Sequence, residues 1–179
     1  MTDAPPIFTI GHSTRTIDEF AELLRSAQAR LVVDVRTVPR SRRNPQYNAD
    51  VLGGELAEYQ VGYARIAGLG GLRGRSSDIP PQINALWQNR SFHNYADYAL
   101  SAEFGAALNE LLELSATERC AIMCAEAVWW RCHRRIIADY LLVRGREVFH
   151  LMGDDRAIGA KLTPGAEISG LNIIYPGED

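Results

Sequence analysis

Apolar residues fall in short runs along this chain, and between the runs they recur at helical spacing. Ile7, Phe8 and Ile10 form the first run, which stops at Gly11-His12-Ser13 and predicts a strand entering a loop. Thr16-Ile-Asp-Glu19 has capping-box spacing, and Phe20, Leu23 and Leu24 follow on one helical face, so a helix is predicted over 17–27. Leu31-Val-Val-Asp-Val35 is β-branched and apolar on both faces, as in a parallel strand covered on both sides. A weaker strand is predicted over 62–66, others over 119–124 and 147–151, and a short one over 172–175. The helices between them run from a cap at Asn48 to about Tyr59, over 80–89, over 95–100, and after Ser101 on Phe104, Leu108, Leu111 and Leu112. A last helix over 133–144 carries Ile136, Ile137, Tyr140 and Leu141 as its apolar stripe, with Gly145 as its C-cap. Residues 37–48 form a long polar loop interrupted by Pro39 and Pro45, which makes it a functional suspect. Residues 68–74 are a glycine-rich loop, and 152–179 form a weakly patterned C-terminal extension.

Alternating strands and helices predict an α/β chain: a three-layer, Rossmann-like fold with a mostly parallel central sheet of about five strands and helices on both faces. With 179 residues, a single domain is expected. Sheets of this kind bind ligands beyond the carboxyl ends of their strands. The unusual polar residues sit at those ends: His12 after the first strand, Asp34 and Arg36 at the second, the glycine loop after the third, Cys124 and Glu126 at the fourth, and His150 near the fifth.

Charge and composition narrow the function classes. A net charge of −3 argues against a wholly basic nucleic-acid binder. No apolar run approaches a membrane span of roughly 20 residues. Residues 1–6 lack the basic start and apolar core of a signal peptide, so a cytoplasmic location without membrane association is expected. The 19 cations are all Arg except Lys161, and they cluster at Arg36, Arg40, Arg42 and Arg43, at Arg73 and Arg75, and at Arg131, Arg134 and Arg135. Guanidinium forks grip carboxylate and phosphate at two points, so local clusters suggest an anionic ligand. Cys120, Cys124 and Cys132 are odd in number and close in sequence, which argues against a disulfide framework.

One set of motifs is distinctive in its order. Gly11-His-Ser13, Val33-Asp-Val-Arg36, Pro39 with Ser41-Arg-Arg-Asn-Pro-Gln-Tyr-Asn48, and Leu69-Gly-Gly-Leu72 are followed by Met123-Cys-Ala-Glu126 and Trp130-Arg-Cys-His-Arg-Arg135. Together they resemble the bacterial and archaeal family catalogued as domain of unknown function 488, over roughly residues 7–151. The resemblance implies a small cytosolic α/β protein with its unusual residues at the same strand ends, and it implies no substrate.

The candidate chemistry is therefore read from the residues. Cys124 at a strand end is the expected nucleophile or redox thiol, because backbone N–H groups and nearby cations favour thiolate; the bland reading is a small buried hydrophobe. Cys120, inside the strand, reads as core. Glu126 and His133 are the acid/base candidates, with Glu126 alternatively in a salt bridge to Arg131 or Arg134. Arg131, Cys132, His133 and Arg134 are expected to open the last helix, where cations oppose the usual dipole preference and so point to a bound anion. Arg36, Arg131 and Arg134 would hold that anion. His12, Asp34, Arg42, Arg43 and Tyr47 complete the substrate-binding candidates, and Asp34 is equally readable as a buried partner of Arg36. Trp129 and Trp130 read either as base-stacking groups or as cover for the sheet.

No metal or other cofactor is expected. The C-x7-C-H spacing fits no zinc pattern, and the glycine loop lacks the Lys-Ser/Thr ending of a phosphate loop. The leading expectation is an enzyme acting on a phosphorylated small molecule, nucleotide or nucleic-acid component. Its expected partner is an anionic small molecule or nucleotide, with nucleic acid as a second candidate. A non-catalytic nucleotide or nucleic-acid binding module and a metal-binding or structural protein are the alternatives. The pattern specifies no oligomeric state.

Overall fold

The computed structural model describes residues 3–154 and 156–177. Five strands run parallel: β1 (Ile7–Gly11), β2 (Leu31–Asp34), β3 (Gly62–Arg65), β4 (Cys120–Cys124) and β5 (Val148–Met152). A sixth, β6 (Arg156–Gly159), pairs antiparallel with β5, so the sheet runs β3-β2-β4-β1-β5-β6. The expected parallel α/β sheet is present, with six strands rather than about five. All four residues of β6 are exposed, so backbone pairing to β5 forms this strand and no hydrophobic alternation announces it. A separate hairpin, β7 (Glu167–Ser169) and β8 (Asn172–Ile174), contains the short C-terminal strand.

Alternation along each strand divides the core into two layers. Phe8, Ile10, Val32, Ala121 and Met123 face α1 (Ile17–Ser26) and α2 (Ala49–Ala57) through Phe20, Leu24, Leu52 and Leu56. Ile7, Val33, Val35 and Ile122 face the opposite layer, formed by α3 (Arg90–Tyr98), α4 (Ala102–Leu114) and α5 (Arg134–Val143). Both layers are dry apolar cores, which explains the near-continuous hydrophobic runs of β1, β2 and β4.

Local signals place several boundaries. Thr16 and Glu19 form the capping box of α1. Asn89 caps α3 through bonds from the N–H groups of Ser91 and Phe92, so this helix starts at Arg90 and replaces the predicted helix over 95–100. The predicted helix over 80–89 is only a 3₁₀ turn, Pro81–Asn84. Asn48 precedes α2 without a side-chain cap; its Oδ1 accepts from the N–H of Ser41 at 2.7 Å and closes the 41–48 loop instead.

The start of α5 corrects another expectation. Trp129–Arg131 form a separate 3₁₀ turn, His133 is the N-cap, and the helix begins at Arg134. Arg131 therefore lies outside the helix and is exposed. Register then assembles the strand ends: Gly11 lies beside Cys124, and Asp34 beside Met123. The N–H groups of His12 and Ser13 continue this pairing to the carbonyls of Cys124 and Ala125, at 2.9 and 3.0 Å. Only glycine fits at 11, because a Cβ there would lie 1.8 Å from the carbonyl oxygen of Glu126.

A thiol and arginine site at the strand ends

The ends of β1, β2 and β4 open into a crevice of about 460 Å³. His12, Arg36, Cys124, Glu126, Arg131, Cys132 and His133 line it, together with Arg40, Ser41, Leu72 and Phe92. Asp34, Arg42, Arg43, Tyr47 and Arg134 are not among its lining residues. A larger groove of about 890 Å³ lies elsewhere, along residues 75–81 and α3. It contains no thiol, and its His93–Asp97 pair is already tied to Trp87 and Asn84. The smaller crevice, where the chemistry converges, is the candidate site.

On the β2 side, Arg36 forms a two-point ion pair with Asp34: Nε donates to Oδ1 at 2.9 Å and Nη2 to Oδ2 at 2.7 Å. Tyr63 Oη donates to the same carboxylate at 2.6 Å, and Asp34 is fully buried. This pairs Asp34 with Arg36 and separates it from Arg131 and Arg134. Arg36 also donates to the Tyr47 carbonyl at 2.7 Å, and its Nη1 lies 3.3 Å from His12 Nε2. His12 Nδ1 lies 2.9 Å from the Ser13 carbonyl, an acceptor only, so the ring proton sits on Nδ1 and Nε2 accepts from Arg36. Burial and the Arg36 charge lower the His12 pKa and keep the ring neutral. Tyr47 stacks beneath it at 4.3 Å and anchors its hydroxyl on the Arg15 and Thr16 carbonyls. Tyr47 is thus a support under His12, and Arg42 and Arg43 are exposed on the loop above.

On the β4 side, Arg134 is 1% exposed. Its Nε donates to Cys124 Sγ at 3.0 Å and to Cys132 Sγ at 3.4 Å. Nη1 donates to Thr9 Oγ1 at 3.1 Å, and Nη2 to the Glu126 carbonyl at 2.7 Å. Among the described residues, no carboxylate pairs with it. A buried cation needs compensation, and the two sulfurs are the groups on hand that can carry negative charge.

The two thiols divide the roles. Burial and the neighbouring Cys132 push the Cys124 thiol up, so it stays protonated, and it points at the Glu126 carbonyl at 3.7 Å. Burial alone would raise Cys132 too. The neighbouring Cys124 thiol, the adjacent His133 and the Arg134 guanidinium outweigh it and hold Cys132 well below the ordinary thiol value. The Arg134 backbone N–H also points at Cys132 Sγ, at 3.4 Å, from the first residue of α5. Cys120, in contrast, is pushed up to about 11 by burial inside the sheet.

His133 completes the arrangement. Its Nε2 lies 2.8 Å from the Val35 carbonyl and must donate there, which leaves Nδ1 facing Cys132 Sγ at 3.5 Å. Gly71 of the glycine loop presses on this ring: a Cβ there would lie 2.5 Å from Nδ1. Glu126 is exposed, and its Oε1 accepts from the Val128 N–H at 3.4 Å. The strand ends at Cys124, so Glu126 does not continue on the Cys124 face, and it forms no ion pair with Arg131 or Arg134. Trp129 stacks on His150 at 4.3 Å and covers the sheet edge, while Trp130 is exposed. His150 is lowered to about 4 by burial and by Arg134.

Sequence reasoning singled out Cys124 and gave Cys132 no catalytic role. The available signal was position: Cys132 immediately precedes the His133 N-cap, where helix N–H groups favour thiolate. Thr9 and the Val35 carbonyl, which orient Arg134 and His133, carry no local signal in an apolar strand. The described residues contain no group of three or more His, Cys, Asp or Glu able to hold a metal. None of their helices is long and apolar enough to cross a membrane.

No curated protein and no solved structure matches the chain. The family model described as Domain of unknown function DUF488 matches residues 16–141, a stretch that holds Asp34, Arg36, Cys124, Cys132, His133 and Arg134; the chain belongs to that family.

Proposed function

We propose that this protein is a cysteine-dependent enzyme acting on an anionic substrate, with Cys132 as the nucleophile and Cys124 as the second thiol on the same guanidinium. The observation that carries the reading is Arg134: a buried guanidinium with two sulfurs on its Nε and no carboxylate. One shared thiolate supplies the missing charge. His133 Nδ1 faces that sulfur, accepts its proton, and can return it to a leaving group. Arg40 and Arg131 supply the cationic part of the crevice for a phosphate or carboxylate on the substrate. Arg134, enclosed by protein groups, stabilises the thiolate and does not contact the ligand. Leu72, exposed at the rim, and Phe92 add apolar surface for the remainder of the substrate.

The test is alkylation of the native protein with limiting iodoacetamide across pH, followed by mapping. Cys132 should react first, with a midpoint below the unperturbed thiol value of about 8.5. Phosphate or a mononucleotide should raise the melting temperature, and Arg131→Ala should remove most of that rise. An ordinary thiol profile at Cys132, together with no stabilisation by any anion, would overturn the reading. Anion stabilisation without thiolate reactivity would instead favour a binding module.

A further inference from the structure

We infer that Cys124 and Cys132 form a redox couple in which Cys132 is the thiol oxidised first and Cys124 resolves it to a disulfide. The inference rests on the thiolate reading of the same site and adds an activity to it. Both sulfurs accept from the single Nε of Arg134, at 3.0 and 3.4 Å, so no rearrangement of elements is needed to bring them together. Both also line the crevice and are reachable by a small oxidant. Cys120 is fully buried inside the sheet, with its thiol directed at the Glu118 carbonyl.

The oxidant class that suits a buried thiolate at the end of a narrow crevice is a hydroperoxide. The Cys132 thiolate attacks the distal peroxide oxygen, the O–O bond breaks, and Cys132 becomes a sulfenic acid. The departing hydroxide or alkoxide takes a proton and leaves as water or alcohol. Cys124 Sγ then attacks the sulfenic sulfur. The S–S bond forms, the S–OH bond breaks, and the Cys124 proton leaves with the hydroxyl as water. The peroxide is reduced by two electrons, and the two sulfurs together are oxidised by two. A thiol reductant returns the pair to the dithiol state.

Oxidation has an unusual structural consequence here. Disulfides ordinarily stabilise a fold by constraining the unfolded chain. This one consumes the thiolate charge beside Arg134, which has no carboxylate partner among the described residues, and leaves that guanidinium buried without compensation. The oxidised protein should therefore melt below the reduced one, and the couple should be a strong oxidant, because its reduced form is the stabilised one.

The experiment treats the reduced full-length chain with stoichiometric hydrogen peroxide, blocks remaining thiols with N-ethylmaleimide, and maps the cysteines by mass spectrometry. A Cys124–Cys132 linkage lighter by two hydrogens, an unoxidised Cys120 thiol captured by maleimide once the chain is unfolded in denaturant, and a lower melting temperature are expected. Cys124→Ser should stop at a Cys132 sulfenic acid, trapped by dimedone, and Cys132→Ser should not react. Overturning results are oxidation at Cys120 first, persistent sulfenic acid in the wild type without a disulfide, or a disulfide that raises the melting temperature. The iodoacetamide profile separates the two readings. A reactive Cys132 with no disulfide removes only the redox inference, whereas an unreactive Cys132 removes both.

Discussion

Two buried arginines, Arg36 lining the crevice and Arg134 enclosed behind it, differ in what neutralises them. Arg36 is held by Asp34, a buried carboxylate that is further tied by Tyr63. Arg134 is held by two cysteines, whose charge depends on pH and on oxidation state. The same residue type at similar burial is therefore a structural rivet on β2 and, in the proposed function, the counter-charge of a thiolate beside β4. The comparison teaches that a buried cation is informative through its partners: a carboxylate builds a frame, and a pair of thiols ties the pairing to pH and oxidation state.

The first way to break the comparison is to remove the carboxylate. Asp34→Ala leaves Arg36 buried with only the Tyr47 carbonyl and His12, and should cost about 3–5 kcal/mol, measured by urea unfolding. A loss under about 1 kcal/mol would mean that Arg36 simply relaxes into the crevice.

Removing the titratable charge should cost less and should carry a pH signature. The double variant Cys124→Ser/Cys132→Ser keeps polar atoms near Arg134 but no thiolate, and a loss of about 1–3 kcal/mol near pH 8.5 is expected. The sign follows from the opposite displacements of the two thiols. Cys132 is depressed in the fold, so its stabilisation is fully present above its unfolded value and is lost as pH falls through the folded value. Cys124 is raised, so stability declines once pH exceeds the unfolded thiol value. The wild-type excess over the double variant should thus peak near pH 8.5, the unperturbed thiol value of about 8.5. A pH-independent difference would show that Arg134 needs no thiolate.

His150 sharpens the comparison from the acid side, because Arg134 also opposes its protonation. Its folded value is lowered to about 4 from the ordinary imidazole value of about 6.5. Stability from the neutral ring is complete above 6.5 and is lost as pH falls toward 4. His150→Gln should flatten this acid limb in thermal melts between those values; an unchanged slope would locate the proton uptake elsewhere. The smallest effect on stability belongs to Arg131→Ala. It is exposed and outside the helix, so its unfolding free energy should change by less than about 0.5 kcal/mol while anion stabilisation is lost.

Much of the architecture was legible in the residues. The runs 31–35 and 119–124 are apolar on both faces, and only a sheet covered by two helix layers satisfies them. Thr16 and Glu19 announced the start of α1, and Gly145, at φ +78°, marked the end of α5. β6 was not legible, because an exposed edge strand is held by backbone bonds to β5 and has no apolar face to alternate. The start of α5 was misjudged because Trp129–Arg131 close a separate turn, which a run of bulky and charged residues does not reveal.

What the sequence determined by itself was where the unusual polar residues gather: strand ends are set by local apolar runs, and the polar residues that follow them converge on one edge. What each residue does there was decided by the tertiary structure. Arg134 and Arg131 are three positions apart and look alike in sequence, yet one is 1% exposed on two sulfurs and the other lines the crevice. Cys132 gains its charge from Arg134 and the Cys124 thiol, and Cys124 meets them only because β4 pairs with β1 and α5 folds back on the sheet. Protonation and counter-charge depend on distances of about 3 Å and on exclusion of water. Those distances are set by register between segments far apart in the chain, which local patterning does not encode.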